Sequence, residues 1–278
     1  MSHASESLFP ARRARLLRAG LGLAALTLTV AAVGGAVRAL TPAPGDRIAS
    51  PKGDATSKQL TGAALAPFDV VETSVKREGT MLVFSETVAG AAGNTRPTPT
   101  GQLAGSTVFS YVWPTSLDPA AVGFEAKSGI LALAATAHPD FDDTPRYDEN
   151  GDGDPKNDGL LWHSHWVVLV KDDACGAGAL KVRDIASEAT PKLPSTWPGL
   201  PLYIDSPGYE PQINARTIRV AVPLRDVGFP DAFQFDGVTA ALRVNASVHS
   251  PLLCVVDVFD IASRTLSLPG TVRPNSAQ

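Results

Sequence analysis

The feature that most limits what this chain can fold into is its punctuation. Twenty-three prolines and 24 glycines are scattered along 278 residues. Between them the apolar residues fall in short, often alternating runs. Proline breaks a helix interior and glycine weakens it, while short alternating runs bounded by turn residues suit strands. The pattern predicts strands at 68–76, 81–88, 107–113, 130–137, 161–170, 180–184, 218–222, 238–245 and 252–259, with Leu266 near an edge. No stretch reads as a convincing helix. The segment 191–211 holds six prolines and reads as an irregular excursion. The expected fold is therefore all-β. A two-sheet antiparallel β-sandwich over 67–272 is the first choice and a β-barrel the alternative.

The first 39 residues read differently. Arg12, Arg13, Arg15 and Arg18 precede an uncharged apolar run, Ala19 to Val37, and Val37-Arg38-Ala39 offers small residues where a signal peptidase cuts. This is the pattern of a secretory signal peptide. The run is also just long enough to remain as an uncleaved membrane anchor. Arg15 stands where a twin-arginine signal wants an apolar residue. Residues 40–66 lack a periodic apolar face and read as a flexible linker, and 273–278 as a disordered tail. The expected location is periplasmic or secreted, with an anchored form facing the periplasm as the alternative.

Residues 1–39 hold five Arg and one Glu, so the remainder carries 19 basic and 27 acidic side chains, a net charge of −8. Such a surface has no electrostatic reason to bind nucleic acid or anionic lipid. Membrane contact is expected only through the N-terminal segment, and a sugar, small-molecule or protein partner stays open. The two cysteines, Cys175 and Cys254, are most simply a disulfide in an oxidising compartment. A pair of metal thiolates is the other option, but neither has ligand residues beside it.

Two motifs carry chemistry. In the loop 148–159, oxygen side chains recur at Asp148, Asn150, Asp152 and Asp154, with Gly153 at the sixth place. This start resembles an EF-hand loop, which wraps calcium in oxygens. Pro155 and Gly159 then depart from that pattern, leaving Asp158, or Asp142 and Asp143 upstream, to supply a missing carboxylate. A solvated acidic turn is the alternative.

The second motif is Trp162-His163-Ser164-His165-Trp166. Strand side chains alternate between faces, so His163 and His165 share one face and the two tryptophans the other. The tryptophans read as core. If the strands flanking the acidic loop pair antiparallel, His138 becomes a neighbour of both histidines. His249 lies in a later turn and is the fourth candidate. Asp140 and Asp142 are nearby candidates for a further ligand or an outer carboxylate. Imidazoles in this number point to zinc or copper. Plain hydrogen-bonded strand residues are the alternative.

The opening hairpin, Val71 to Phe84, resembles the first strands of DOMON-like and family 9 carbohydrate-binding β-sandwiches, exported modules that bind haem or sugars. In the haem-binding members a methionine serves as an axial ligand, which the resemblance would assign to Met81. His163-Ser164-His165-Trp166 resembles the His-x-His-Trp of α-type carbonic anhydrases, but that family's later third-histidine segment and its Glu and Thr proton network are missing. A ligand-binding reading would place sugar rings on Trp197, Tyr203 and Tyr209. Nothing in the sequence assigns a catalytic role, and whether the chain is an enzyme stays open.

Overall fold

A computed structural model describes residues 46–51 and 55–273. The expected signal segment 1–39, the start of the linker and residues 274–278 of the tail lie outside the described residues. No helix among the described residues is long and apolar enough to cross a membrane.

The chain is all-β, and its regular structure lies in antiparallel sheets joined by turns and short 3-10 segments. One sheet has five strands: β1 (Arg47–Ala49), β2 (Val70–Glu78), β3 (Met81–Val88), β9 (Gln212–Asn214) and β10 (Thr217–Pro223), in the order β1-β2-β3-β10-β9. The second contains β4 (Thr107–Pro114), β5 (Ile130–Ala137), β6 (His163–Lys171), β7 (Leu180–Val182), β8 (Ile204–Asp205), β12 (Val238–Val244) and β13 (Leu253–Ile261). Its order is β5-β4-β12-β13-β7-β6-β8, and β5 also pairs with β6. That last pairing closes six of the strands into a barrel, leaving β8 as an outer flap on β6. A two-stranded ribbon of β11 (Phe233–Phe235) and β14 (Gly270–Val272) completes the set.

Alternation along each strand sorts the apolar side chains into two cores. One lies between the five-stranded sheet and the barrel wall, with Val75, Phe84 and Val220 meeting Tyr111, Trp113, Trp166 and Phe259. Its rings pack edge to face, as for Phe84 and Trp166 at 6.0 Å between centroids. The other core lines the barrel interior with Val108, Val112, Val167, Leu169, Val238 and Leu242. Strand β5, Ile-Leu-Ala-Leu-Ala-Ala-Thr-Ala, is buried on both faces. It turns its leucines to the five-stranded sheet and Ala132 and Ala134 to the barrel interior.

Within the segment expected to be a linker, residues 47–49 form a strand and residues 57–59 are bonded to the body of the fold. Strand β1 pairs with β2. Residues 57–59 are tied down by Asp257, which accepts hydrogen bonds from the Ser57 hydroxyl and the Lys58 and Gln59 amides at 2.8–3.2 Å. Backbone pairing needs no apolar periodicity, so this docking leaves no mark in the pattern of residues 47–60.

Candidate metal centre

Strands β5 and β6 bracket the acidic loop and pair in the register Thr136↔His163 and Ala134↔His165. Thr136 and His138 point to one face of β5. The pairing therefore delivers His138, His163 and His165 to one place, at the mouth of the barrel where β5 ends and β6 begins. Trp162 and Trp166 face the other way and are 7 % and 0 % exposed. The Trp162 indole donates to the Gly93 carbonyl at 2.9 Å.

The group is completed by Asp143, from the connection between the two strands. Its Oδ1 lies 3.2 Å from the Nε2 of His138, of His163 and of His165. The Nε2 atoms of His138 and His163 are 2.9 Å apart. All four side chains are buried, with residue exposures of 1–5 %. One potential ligand atom from each falls within 4.8 Å of the others. Two ligands about 2.1 Å from a shared ion stand about 3.0–3.4 Å apart at angles between a right angle and the tetrahedral one. The observed contacts are of that size.

The outer ring nitrogens fix the tautomers. Nδ1 of His138 faces the Phe141 carbonyl at 2.8 Å, and Nδ1 of His163 faces the Leu161 carbonyl at 2.9 Å. Nδ1 of His165 lies 3.2 Å from the Asp205 carbonyl and 3.2 Å from the Ser206 hydroxyl oxygen. The Ser206 hydroxyl itself donates to the Asp143 carbonyl at 2.8 Å, so toward His165 it offers a lone pair. A carbonyl only accepts, so each Nδ1 carries a proton, and a ring in its neutral form turns a bare Nε2 lone pair inward. Four acceptors then face one another. Accordingly, Asp143 Oδ1 and His165 Nε2 are buried without a hydrogen-bond donor.

Electrostatics reflect the same crowding. Burial lowers His163 to about 4, partly opposed by the Asp143 carboxylate. Burial also works against the charged form of His138, but Asp143 outweighs it and leaves that ring above its ordinary value. Burial would raise Asp143, yet the surrounding imidazoles hold it well below the carboxylate range.

The connection that carries Asp143 is held by close backbone contact. His138 donates its amide to the Gly159 carbonyl at 2.6 Å, and Phe141 stacks flat on the His138 ring at 4.0 Å. A Cβ on Gly159 would fall 1.9 Å from the Phe141 oxygen and 2.4 Å from the His138 oxygen. Only glycine fits there.

The other expected site residues fall elsewhere. His249 is exposed in the turn between β12 and β13 and lies outside the group, because the turn closes on its own backbone through Ser247 and Ser250. Asp140 is bound at the surface by Thr100 and Gly101, and Asp142 caps the amides of Thr144 and Asp158. Asp143 was expected only as a spare calcium ligand. Its neighbours share its residue type, so no sequence signal singles it out.

In the expected calcium loop, Asp148, Asp152 and Asp154 form no carboxylate cluster. Asp148 accepts from the amides of Gly151, Asp152 and Gly153. Asp152 binds the side-chain amides of Asn150 and Asn157 and the amide of Asp154, while Asp154 accepts from Lys156. Asp158 is buried under the amides of Glu149 and Asn150 and groups instead with Asp142 and Glu149. Burial lifts Glu149 to about 7, and the Asp158 carboxylate adds to the rise.

The three aromatics of the expected sugar platform are each hydrogen-bonded within the fold. Tyr203 is 3 % exposed, its hydroxyl on Glu125 and its ring under the Arg183 guanidinium at 4.7 Å. Tyr209 is half-buried with its hydroxyl on Asp226, and Trp197 is half-buried with its indole on the Leu202 carbonyl. Met81 is half-buried at the β2–β3 turn, beside Glu78 and Arg219 on the face of the five-stranded sheet turned away from the barrel. Cys175 and Cys254 form the expected disulfide.

Compared with protein-family models, curated proteins and solved structures, the chain matches none.

Proposed function

We propose that this chain is an exported metalloprotein that holds one zinc or copper ion through Nε2 of His138, His163 and His165 and the carboxylate of Asp143. One observation carries the reading. Four potential ligand atoms, three of them imidazole nitrogens, converge in a buried pocket where the Thr136 hydroxyl reaches only His163, and Asp143 Oδ1 and His165 Nε2 have no donor. Buried acceptors crowded together in this way are costly unless a cation satisfies them. Three imidazoles and one carboxylate are a donor set suited to zinc or copper. A bound ion would supply Lewis-acid or, for copper, electron-transfer chemistry. The protein's own part is to hold the tautomers and exclude water.

Export rests on the Cys175–Cys254 disulfide, which persists in oxidising compartments, and on the leader-like pattern of residues 1–39. The test is elemental analysis of the disulfide-intact protein, purified without chelator. About one zinc or copper per chain is expected, and background levels in a His163→Ala/His165→Ala double variant. Metal at background in the unaltered protein would refute the proposal.

A further inference from the structure

The barrel interior is not full. Small residues on the inward faces, Ala134 and Ala240 among them, leave a cavity of about 100 Å³ along the barrel axis. His138, Asp143 and His165 line one end. At the other end are Pro114 and Ile261, the last residues of β4 and β13. The wall between is apolar, built from residues such as Val112, Val167, Leu169 and Leu242.

The polar side chains on that wall are already engaged. Ser110 donates its hydroxyl to the Ala240 carbonyl at 3.0 Å, and Thr136 lies 3.2 Å from His163 Nε2. The chamber's unpaired polar atoms, Asp143 Oδ1 and His165 Nε2, belong to the metal-binding group. A polar guest would lose its water and find no partner along the wall. An uncharged apolar guest loses nothing there. A dry cavity of about 150 Å³ accepts benzene or xenon, so this one takes a molecule of roughly two to four heavy atoms.

We infer that the barrel interior is a binding chamber for a small, uncharged, apolar molecule, of the size of dioxygen or a short hydrocarbon, which it presents to the inner side of the metal. This rests on the metal reading above. The chamber meets His138, His165 and Asp143 directly, so a guest at that end sits against three of the four proposed ligands.

Xenon is the probe. Full-length protein loaded with zinc, and separately with cobalt(II), is titrated with xenon and followed by ¹²⁹Xe NMR, with metal content measured on the same samples. Saturable binding of about one xenon per chain is expected. Relaxation should be several-fold faster with cobalt(II) than with zinc, because paramagnetic relaxation falls with the sixth power of distance. Val182→Phe, which fills the chamber beside Leu169, four residues along β6 from His165, should abolish saturable binding and keep the metal. If that variant does not fold, Leu242→Ala should tighten xenon binding by enlarging the space. No saturable binding in metal-loaded protein overturns the chamber and leaves the metal site standing. Equal relaxation with both ions overturns the contact between chamber and metal. Protein that takes up neither ion overturns the metal reading itself, and elemental analysis tells that failure from the other two.

Discussion

Substituting Gly159, which is not a ligand, should cripple the metal site. An alanine Cβ would lie 1.9 Å from the Phe141 carbonyl oxygen, 2.4 Å from that of His138 and 2.9 Å from the Phe141 carbonyl carbon. Non-bonded carbon and oxygen atoms stay roughly 3 Å or more apart, so the 138–141 backbone must retreat by about 1 Å. The contact cannot be relieved by a rotamer, since all three atoms are backbone. The Phe141 oxygen is also the acceptor that fixes the His138 tautomer. A metal site tolerates ligand displacements of about 0.2 Å, several times less than the movement required. Losing the outer hydrogen bond alone typically weakens binding by about 10–100-fold. With the ligand shift added, Gly159→Ala should raise the zinc Kd at least about 100-fold, equivalent to roughly 2.7 kcal/mol. The assay is competition against a chromophoric chelator, with circular dichroism to confirm that the β structure is kept. Gly151→Ala is the control. Nothing lies within 4 Å of its Cβ, so it incurs only the strain of a left-handed residue, about 1 kcal/mol, and should bind zinc as before. A Gly159→Ala protein whose affinity stays within threefold of the parent would refute the reasoning.

Two further outcomes concern stability. Glu86 is fully buried in the core under the five-stranded sheet, and burial, with Asp260 and Asp236 nearby, raises its pKa well above the ordinary 4.5. Its proton is held more tightly folded than unfolded, so its contribution is complete below about pH 4.5 and is lost at about 1.4 kcal/mol per pH unit as pH rises toward the folded pKa. Urea unfolding across pH 4–8 should show this slope in the parent and a shallower one in Glu86→Gln, and equal slopes would contradict the assignment. Removing the disulfide with Cys175→Ala/Cys254→Ala frees a loop whose ends are 79 residues apart. Loop-closure entropy puts the loss at about 4 kcal/mol, a drop on the order of 10 °C in thermal midpoint for a chain of this size. A midpoint unchanged within 2 °C would argue against it.

The strands that bury one face against a large core were legible. Val70–Glu78, Met81–Val88 and His163–Lys171 lie close to where alternation puts them, and the shared face of His163 and His165 follows from the pleat alone. Strands of two or three residues, such as Arg47–Ala49, Ile204–Asp205 and Gly270–Val272, are too short to show a period. They are set by partners distant in the chain. Ring closure was not legible either. It depends on β5 finding β6 as well as β4, and both partners satisfy the same apolar pattern. At the site, the histidine spacing carried the information and the carboxylates did not. Asp140, Asp142 and Asp158 meet backbone amides and Asp143 meets imidazoles, a difference that residue type does not encode.

Ring closure also governs how copies of the chain can meet. A strand with unpaired backbone groups is an adhesive edge, and long exposed edges drive aggregation. Closure pairs β4, β5 and β12 on both sides, while β13 meets β7 at Cys254↔Lys181 alone. The five-stranded sheet ends in β1 and β9, each only three residues long, and the flap β8 has two. Among the described residues, strands β4, β5 and β12 thus present little backbone for another copy to extend.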